Sequence, residues 1–348
     1  MFARDLAKVR PVALMVGQDR QETPLRHLAR GLRDAGWEVG LVNSDNPLIR
    51  DRSTLTRVTA RFTDPLHARQ LAEDVYNRAA TTRPDVLIFV KTVAISLERL
   101  ARLRAGGTRI VVWYPDVSFV QPGVPRDLLD RIDALVTTKS YHLDHFAALK
   151  PDLPVTLVHH GFCEDVHYPQ PAKSPRFDVV YVGNASPAKR SAIEALHRAR
   201  PSLRLAVAGA GWPATPGWTQ FDALAGEQMS RLLGSAKLAL GLHYGPHGPE
   251  GWQDLVSART FEIPACGTFM LHPDNAEVRS LYEAEREIGL FGDEAGMIAA
   301  VDRWLGDDRM RTAACERATK RARQAYGYRE RGKEIAAFLA RRIIGIQT

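Results

Sequence analysis

The stretch Ser257-Ala258-Arg259-Thr260-Phe261-Glu262-Ile263-Pro264-Ala265-Cys266-Gly267-Thr268-Phe269-Met270-Leu271 reads as a short helix over 256–265, a glycine stop, and an apolar strand over 268–271. A helix N-terminus offers unpaired N–H groups and partial positive charge, which suits a phosphate. Arg259 adds a planar, permanently charged donor fork for the same anion. Glu262, a turn further on, accepts only and can take both hydrogens of a ribose diol. Read this way, the segment is a seat for a nucleotide diphosphate. The residue types also fit an ordinary amphipathic helix with one solvated acid, although Glu262 between Phe261 and Ile263 is an apolar setting for one.

Upstream, residues 243–254 follow a strand over 237–242 and hold His243, Tyr244, four glycines or prolines in a row of six, and Asp254. Such a loop needs unusual backbone torsions, as binding loops and lids do. His243 and His247 have no metal-ligand spacing with carboxylates, so no metal is expected. Further upstream, Val182-Gly183-Asn184-Ala185-Ser186-Pro187-Ala188-Lys189-Arg190 is a strand, a small-residue turn and a helix start. Gly183 lets the backbone approach a ligand, and Lys189 and Arg190 can reach a diphosphate. It is neither a Walker A loop nor G-x-G-x-x-G. Residues 208–212, Ala-Gly-Ala-Gly-Trp, are superficially similar to the latter, but a lone G-x-G is a weak signal.

These segments belong to an alternation of strands and helices that fills the chain. Strands are expected over 12–16, 37–42, 86–90, 109–114, 134–137 and 155–158, with a helix carrying Leu25, Leu28, Ala29 and Leu32 on one face and stopped by Gly36, and helices over 66–80, 97–104 and 141–149 among them. A proline-bearing run over 161–176 reads as a linker. Strands over 178–182, 203–208, 237–242, 268–271 and 288–291 follow, with helices over 187–200, 227–233, 276–283 and 294–305 and two closing ones over 308–325 and 329–343. Continuous β-branched runs between helices predict parallel sheets covered on both faces. The expected fold class is α/β, with two Rossmann-like domains whose ligands sit beyond the strand carboxyl ends.

In the first half, Trp113-Tyr114-Pro115-Asp116 ends a strand. Asp116 stands where active-site groups collect, and could take a proton from a substrate hydroxyl, with Trp113, Tyr114 and Phe119 desolvating it or stacking on a sugar. It also fits a turn Asp after Pro115. Gln18 and Asp19 occupy an equivalent place after the first strand. His160 lies at the domain boundary.

The totals agree with two soluble domains: 348 residues, 45% hydrophobic and 25% charged. No apolar run approaches a membrane span, and the first ten residues lack the apolar core of a signal peptide. Cys163, Cys266 and Cys315 are few and scattered, which fits a reduced, cytoplasmic chain and neither a disulfide framework nor a zinc site. The net charge of +7 is concentrated in residues 309–342. A basic helical end can rest on an anionic membrane surface, or be a solvated face. No nucleic-acid-binding signature accompanies it.

The run Arg259-Thr260-Phe261-Glu262-Ile263-Pro264-Ala265-Cys266-Gly267 resembles the C-terminal domain of the CgeB-type (spore-maturation protein-like) glycosyltransferases, which have the two-Rossmann GT-B architecture. The likeness takes in the Val182-Gly183-Asn184 turn, Arg190, the segment around 236–240 and the closing 325–331 run. It implies an N-terminal acceptor-binding domain over 1–165, a donor domain over 166–328, and a last helix over 329–348 crossing back to the first domain across a cleft. It further implies a metal-independent transfer of a sugar from a nucleoside diphosphate sugar to an acceptor hydroxyl, with no cofactor. Glu262 matches the second Glu of an E-x7-E signature and would bind the donor ribose. Asp254 stands at the first Glu position, one methylene short. Gly183, Asn184, Lys189, Arg190, Arg259 and Thr260 would hold the diphosphate, His243 and Tyr244 would line the donor site, and Asp116 would be the base if the reaction inverts. A nucleotide-sugar 2-epimerase or a non-catalytic nucleotide-sugar-binding protein shares the architecture.

Overall fold

A computed structural model of the chain describes residues 10–46, 54–91, 93, 95–119, 127–170, 174–243, 245 and 251–345, except the side chains of 54–63. The chain divides into two compact units, Met1–His159 with Arg329–Thr348, and His160–Tyr328.

The first unit runs β1 (Val12–Gly17), α1 (Pro24–Asp34), β2 (Glu38–Asn43), α2 (Thr54–Thr82), β3 (Val86–Val90), α3 (Leu97–Ala105), β4 (Arg109–Tyr114), β5 (Ala134–Thr137), α4 (Tyr141–Leu149) and β6 (Val155–Leu157). Its six strands are all parallel in the order β2-β1-β3-β4-β5-β6. Residues 87–89 of β3, 110–112 of β4 and 134–136 of β5 are wholly buried, as strands covered on both faces must be. Helix α2 starts earlier than the sequence suggests, continuing N-terminally through Pro65, which reads locally as a first-turn residue.

The second unit runs β7 (Phe177–Val182), α5 (Pro187–Ala199), β8 (Leu205–Ala208), β9 (Trp218–Phe221), α6 (Gly226–Gly234), β10 (Ala236–Leu240), α7 (Ala258–Ala265), β11 (Phe269–Pro273), α8 (Ala276–Leu281), β12 (Gly289–Phe291), α9 (Glu294–Gly306) and α10 (Asp308–Ala325). Its strands are also all parallel, in the order β12-β11-β10-β7-β8-β9. This is the doubly wound Rossmann order, whose direction of winding reverses between β7 and β10; ligands bind beyond the strand ends there. Strand β9 has no counterpart in the sequence reading. It is a four-residue edge strand entered through Pro216 and Gly217, and it shows no clean alternation of burial.

The run over 161–176 is not a free linker. Phe162, Cys163, Val166 and His167 are buried in the second unit, and Ser230 Oγ donates to Val166 O at 2.6 Å. Phe162 also bridges to Gly327: Phe162 N donates to Tyr326 O at 3.3 Å, and Tyr328 N donates to Phe162 O at 3.0 Å. The unit boundary therefore falls at His160, before the proline-bearing run.

The closing helix α11 (Tyr328–Arg342) packs on α1. Gly31 and Gly332 face one another so closely that a Cβ on either would strike the other helix's backbone, and Arg329 Nη2 donates to Asp34 Oδ1 at 2.9 Å. Some of the basic side chains of α10 and α11 are tied to the fold: Arg311 caps Trp304 O, Arg317 caps Arg286 O, Arg321 pairs with Glu287 and Glu283, and Arg331 pairs with Glu334. Among the described residues no helix is long and apolar enough to cross a membrane.

Candidate functional site

Two helices begin beyond the strand ends at the reversal point of the second sheet. After β7, Gly183 takes φ +159, and a Cβ there would strike the Tyr181 hydroxyl. Beside it, Gly209 at the end of β8 takes φ +145, and its missing Cβ lets it lie against Gly183 O. The two turns are stitched together: Gly183 N donates to Ala208 O at 2.8 Å, Ala210 N to Asn184 Oδ1 at 3.0 Å, and Trp212 Nε1 to Gly183 O at 2.9 Å. Asn184 and the 208–212 segment, whose lone G-x-G is a weak signal in sequence, are thus one structure. Ser186 caps α5 by accepting from Lys189 N at 3.4 Å, with Pro187 in the first turn.

Lys189 turns inward from that first turn and is 4% exposed. Its Nζ donates to Asn184 O at 3.5 Å and lies 5.9 Å from the Tyr181 ring centre. Burial pulls its ammonium down to about 8; neighbouring Asp254 opposes that shift and Arg259 adds to it. Lys189, Asp254 and Arg259 are therefore close enough to act on one another, although they come from three segments of the chain. Asp254 is itself buried. Arg190 is half-buried on the same helix and forms no ion pair among the described residues.

Helix α7 supplies the other half. Arg259 Nε donates to Val182 O, the last carbonyl of β7, at 2.9 Å, and its Nη1 pairs with Glu262. The phosphate and ribose groups expected from sequence are thus joined to each other. Glu262 is only 7% exposed, and its other oxygen lies 3.9 Å from His167 Nδ1. That nitrogen accepts from Cys163 N at 3.1 Å, so it carries no proton for the carboxylate. Pro264 inside α7 cannot donate to Thr260 O, and the Tyr282 hydroxyl does so instead at 3.0 Å. Gly267, at φ +74, ends the helix.

Thr260 is fully buried. Its hydroxyl accepts from Ser257 N at 3.2 Å and meets His272 Nε2 at 3.0 Å, so it serves the helix start and does not face outward as a phosphate ligand would. His243 is half-buried between Ser257 Oγ at 3.0 Å and His272 Nε2 at 2.7 Å. Tyr244, also expected at the site, lies outside the described residues. Sequence reasoning missed His272, Ser257, Gly209 and His167. His272 and Ser257 stood inside or beside the opening stretch, but nothing local marks a strand histidine as a partner of His243.

In the first unit Asp116 follows β4 and pairs with Lys91 Nζ at 2.9 Å. Lys91 follows β3 and holds φ +75, a left-handed conformation costly for a side-chain-bearing residue. Trp113 and Tyr114 do not border a sugar site: both are buried, Tyr114 stacks on Phe119 at 4.1 Å, and its hydroxyl donates to Ser118 O at 2.7 Å. Burial, with a smaller push from Asp116, raises the Tyr114 phenol. Asp19 sits where this sheet reverses, between β1 and β3, and is paired with Arg26 at 2.9 Å. His160 Nδ1 lies 3.3 Å from the Tyr328 hydroxyl. The three cysteines are free, and among the described residues no three His, Cys, Asp or Glu side chains cluster as metal ligands.

Residues 188–337 match the model of a family described as glycosyl transferase-like. No curated protein matches the chain. Among solved structures, sucrose-phosphate synthase from Thermosynechococcus elongatus is similar at TM-score 0.61 and 16% identity, over 96% of this chain and 99% of that one. Alr3699/HepE of Anabaena, solved in complex with UDP and glucose, is similar at TM-score 0.60 and 12% identity, over 95% and 100%. A putative UDP-N-acetylglucosamine 2-epimerase from Listeria monocytogenes is similar at TM-score 0.57 and 12% identity, over 97% and 98%. The chain has the GT-B fold, and its residues 188–337 carry a glycosyl transferase-like domain.

Proposed function

We propose that the chain transfers a sugar from a nucleoside diphosphate sugar, with uridine as the favoured base, to an acceptor hydroxyl. The supporting observation is the convergence of the Gly183 turn, Lys189, Asp254, Arg259 and Glu262 at the reversal point of a Rossmann-ordered sheet. In this reading the second unit binds the donor. The Gly183–Asn184 backbone and the α5 N-terminus cradle the diphosphate, and Lys189, Arg190 and Arg259 neutralise the charge that grows on it as the glycosidic bond breaks. These cations take the place of a metal ion. Glu262 accepts from the ribose diol, and Asp254 faces the donor sugar. The uridine assignment rests on the UDP complexes of structurally similar proteins. The Arg259–Gly267 run supports CgeB-type kinship.

The first unit binds the acceptor, and Asp116 takes the proton of its hydroxyl in an inverting transfer, held for that task by Lys91. Incubation with UDP-, GDP- and dTDP-sugars, followed by product analysis, tests the whole reading. Transfer or slow hydrolysis releasing the nucleoside diphosphate supports it. Epimerised donor with no release identifies an epimerase, and binding without turnover a non-catalytic protein. Activity that vanishes with EDTA and returns with Mg²⁺ overturns the metal-free mechanism.

A further inference from the structure

The Ser257–His243–His272–Thr260 chain ties together the end of β10, the start of α7 and β11. Its protons can be assigned. His272 Nδ1 lies 2.8 Å from Pro273 O, a carbonyl that only accepts, so Nδ1 carries the proton. His272 is fully buried, and burial pulls it down to about 4, so it is neutral near pH 7. Its Nε2 is then a bare lone pair that receives His243 Nε2–H at 2.7 Å and the Thr260 hydroxyl at 3.0 Å. With its proton on Nε2, His243 presents Nδ1 as an acceptor to the Ser257 hydroxyl at 3.0 Å. One buried acceptor thereby selects the tautomer of His243 and fixes both ends of the first turn of α7 through Ser257 and Thr260.

We propose that His272 is a positioning residue for donor binding: through His243 and through its own bond to Thr260 it holds the first turn of α7 so that Arg259 and Glu262 meet the nucleotide in register. This rests on the functional reading above. A site held by a packed, hydrogen-bonded supporting shell loses affinity when that shell loosens, even where no ligand contact is removed.

The test is calorimetric titration of UDP into the wild-type protein and into His272→Leu, His272→Gln, His243→Ala and the His243→Ala/His272→Leu double variant, with melting curves alongside. Leu fills the space and accepts nothing, and should weaken UDP binding roughly tenfold. Gln, whose Oε1 can accept from His243 Nε2–H, should recover most of that loss. The double variant should lose less than the sum of the two single losses, because part of what His272 does passes through His243. Wild-type affinity in a folded His272→Leu protein, a Gln variant as weak as Leu, or losses that add, would each overturn the positioning role. If His272→Leu does not fold, Ser257→Ala takes its place, with the same direction expected and unchanged affinity overturning the proposal. A wild-type protein that binds no nucleoside diphosphate sinks the functional reading, and this role with it. Wild-type binding with an indifferent His272→Leu sinks the positioning role alone.

Discussion

Arg259 and Glu262, one turn apart on α7, are bound to each other while the same guanidinium holds Val182 O at the end of β7. On the proposed reading, a diphosphate arriving at Gly183 would compete for Arg259, and the carboxylate so released would be free for the ribose. Glu262→Ala should weaken nucleotide binding by about 1–3 kcal/mol, the scale of a lost charge-assisted hydrogen bond. Calorimetry beside a melting curve checks this, and unchanged affinity in a folded variant removes the ribose assignment.

Lys189 gives the site a pH dependence with a definite sign. Its folded value of about 8 lies below the ordinary lysine value, so the ammonium is present below that pH and lost above it. An anionic donor favours the charged form. kcat/KM, which reports the free enzyme, should therefore fall as pH rises through about 8, and Lys189→Ala should abolish that limb along with much of the activity. An alkaline limb that survives in Lys189→Ala belongs to another group.

Two buried histidines make the fold acid-sensitive. Burial pulls both His142 and His272 down to about 4, whereas the unfolded chain titrates near 6.5. Below about pH 6.5 the unfolded state binds protons that the native state refuses, so stability is full above that value and is lost progressively toward pH 4. Each tenfold bias against protonation is about 1.4 kcal/mol, which puts a few kcal/mol at stake across the window. Urea melts from pH 7 to 4.5 should show a falling midpoint, shallower in His142→Gln than in the wild type.

Gly209 tests the stitched turns. Its φ of +145 and its contact with Gly183 O leave no room for a side chain. Gly209→Ala should cost at least about 2 kcal/mol in stability and displace Gly183 from the donor. Gly36→Ala is the control: it has a positive φ but nothing within 4 Å of the added atom, so it should leave nucleotide binding intact.

Much of this was legible in sequence because parallel strands buried on both faces announce themselves as apolar runs, and Gly267 marks the end of α7. Helix and strand positions in the second unit follow from those signals almost residue for residue. What local pattern could not show was pairing. Arg259 with Glu262 is an i, i+3 contact readable as two separate ligands, and Gly183 with Gly209 depends on strand order. Edge strand β9 has too little burial to leave a periodicity, and the 161–176 run looks like a linker because its few apolar side chains, Phe162 and Val166, are isolated in sequence. Trp113 and Tyr114 read as a sugar platform, but a strand covered on both faces turns both inward.

The diphosphate seat is tested most directly by a UDP titration, by calorimetry, of the wild-type protein and of the Lys189→Ala/Arg190→Ala/Arg259→Ala triple variant, with melting curves for both. The wild type should show saturable one-site binding and a raised melting temperature, and a folded triple variant should lose both. Equal affinity in the two proteins would contradict the assignment of the Gly183–Lys189–Arg259 cluster as the diphosphate seat.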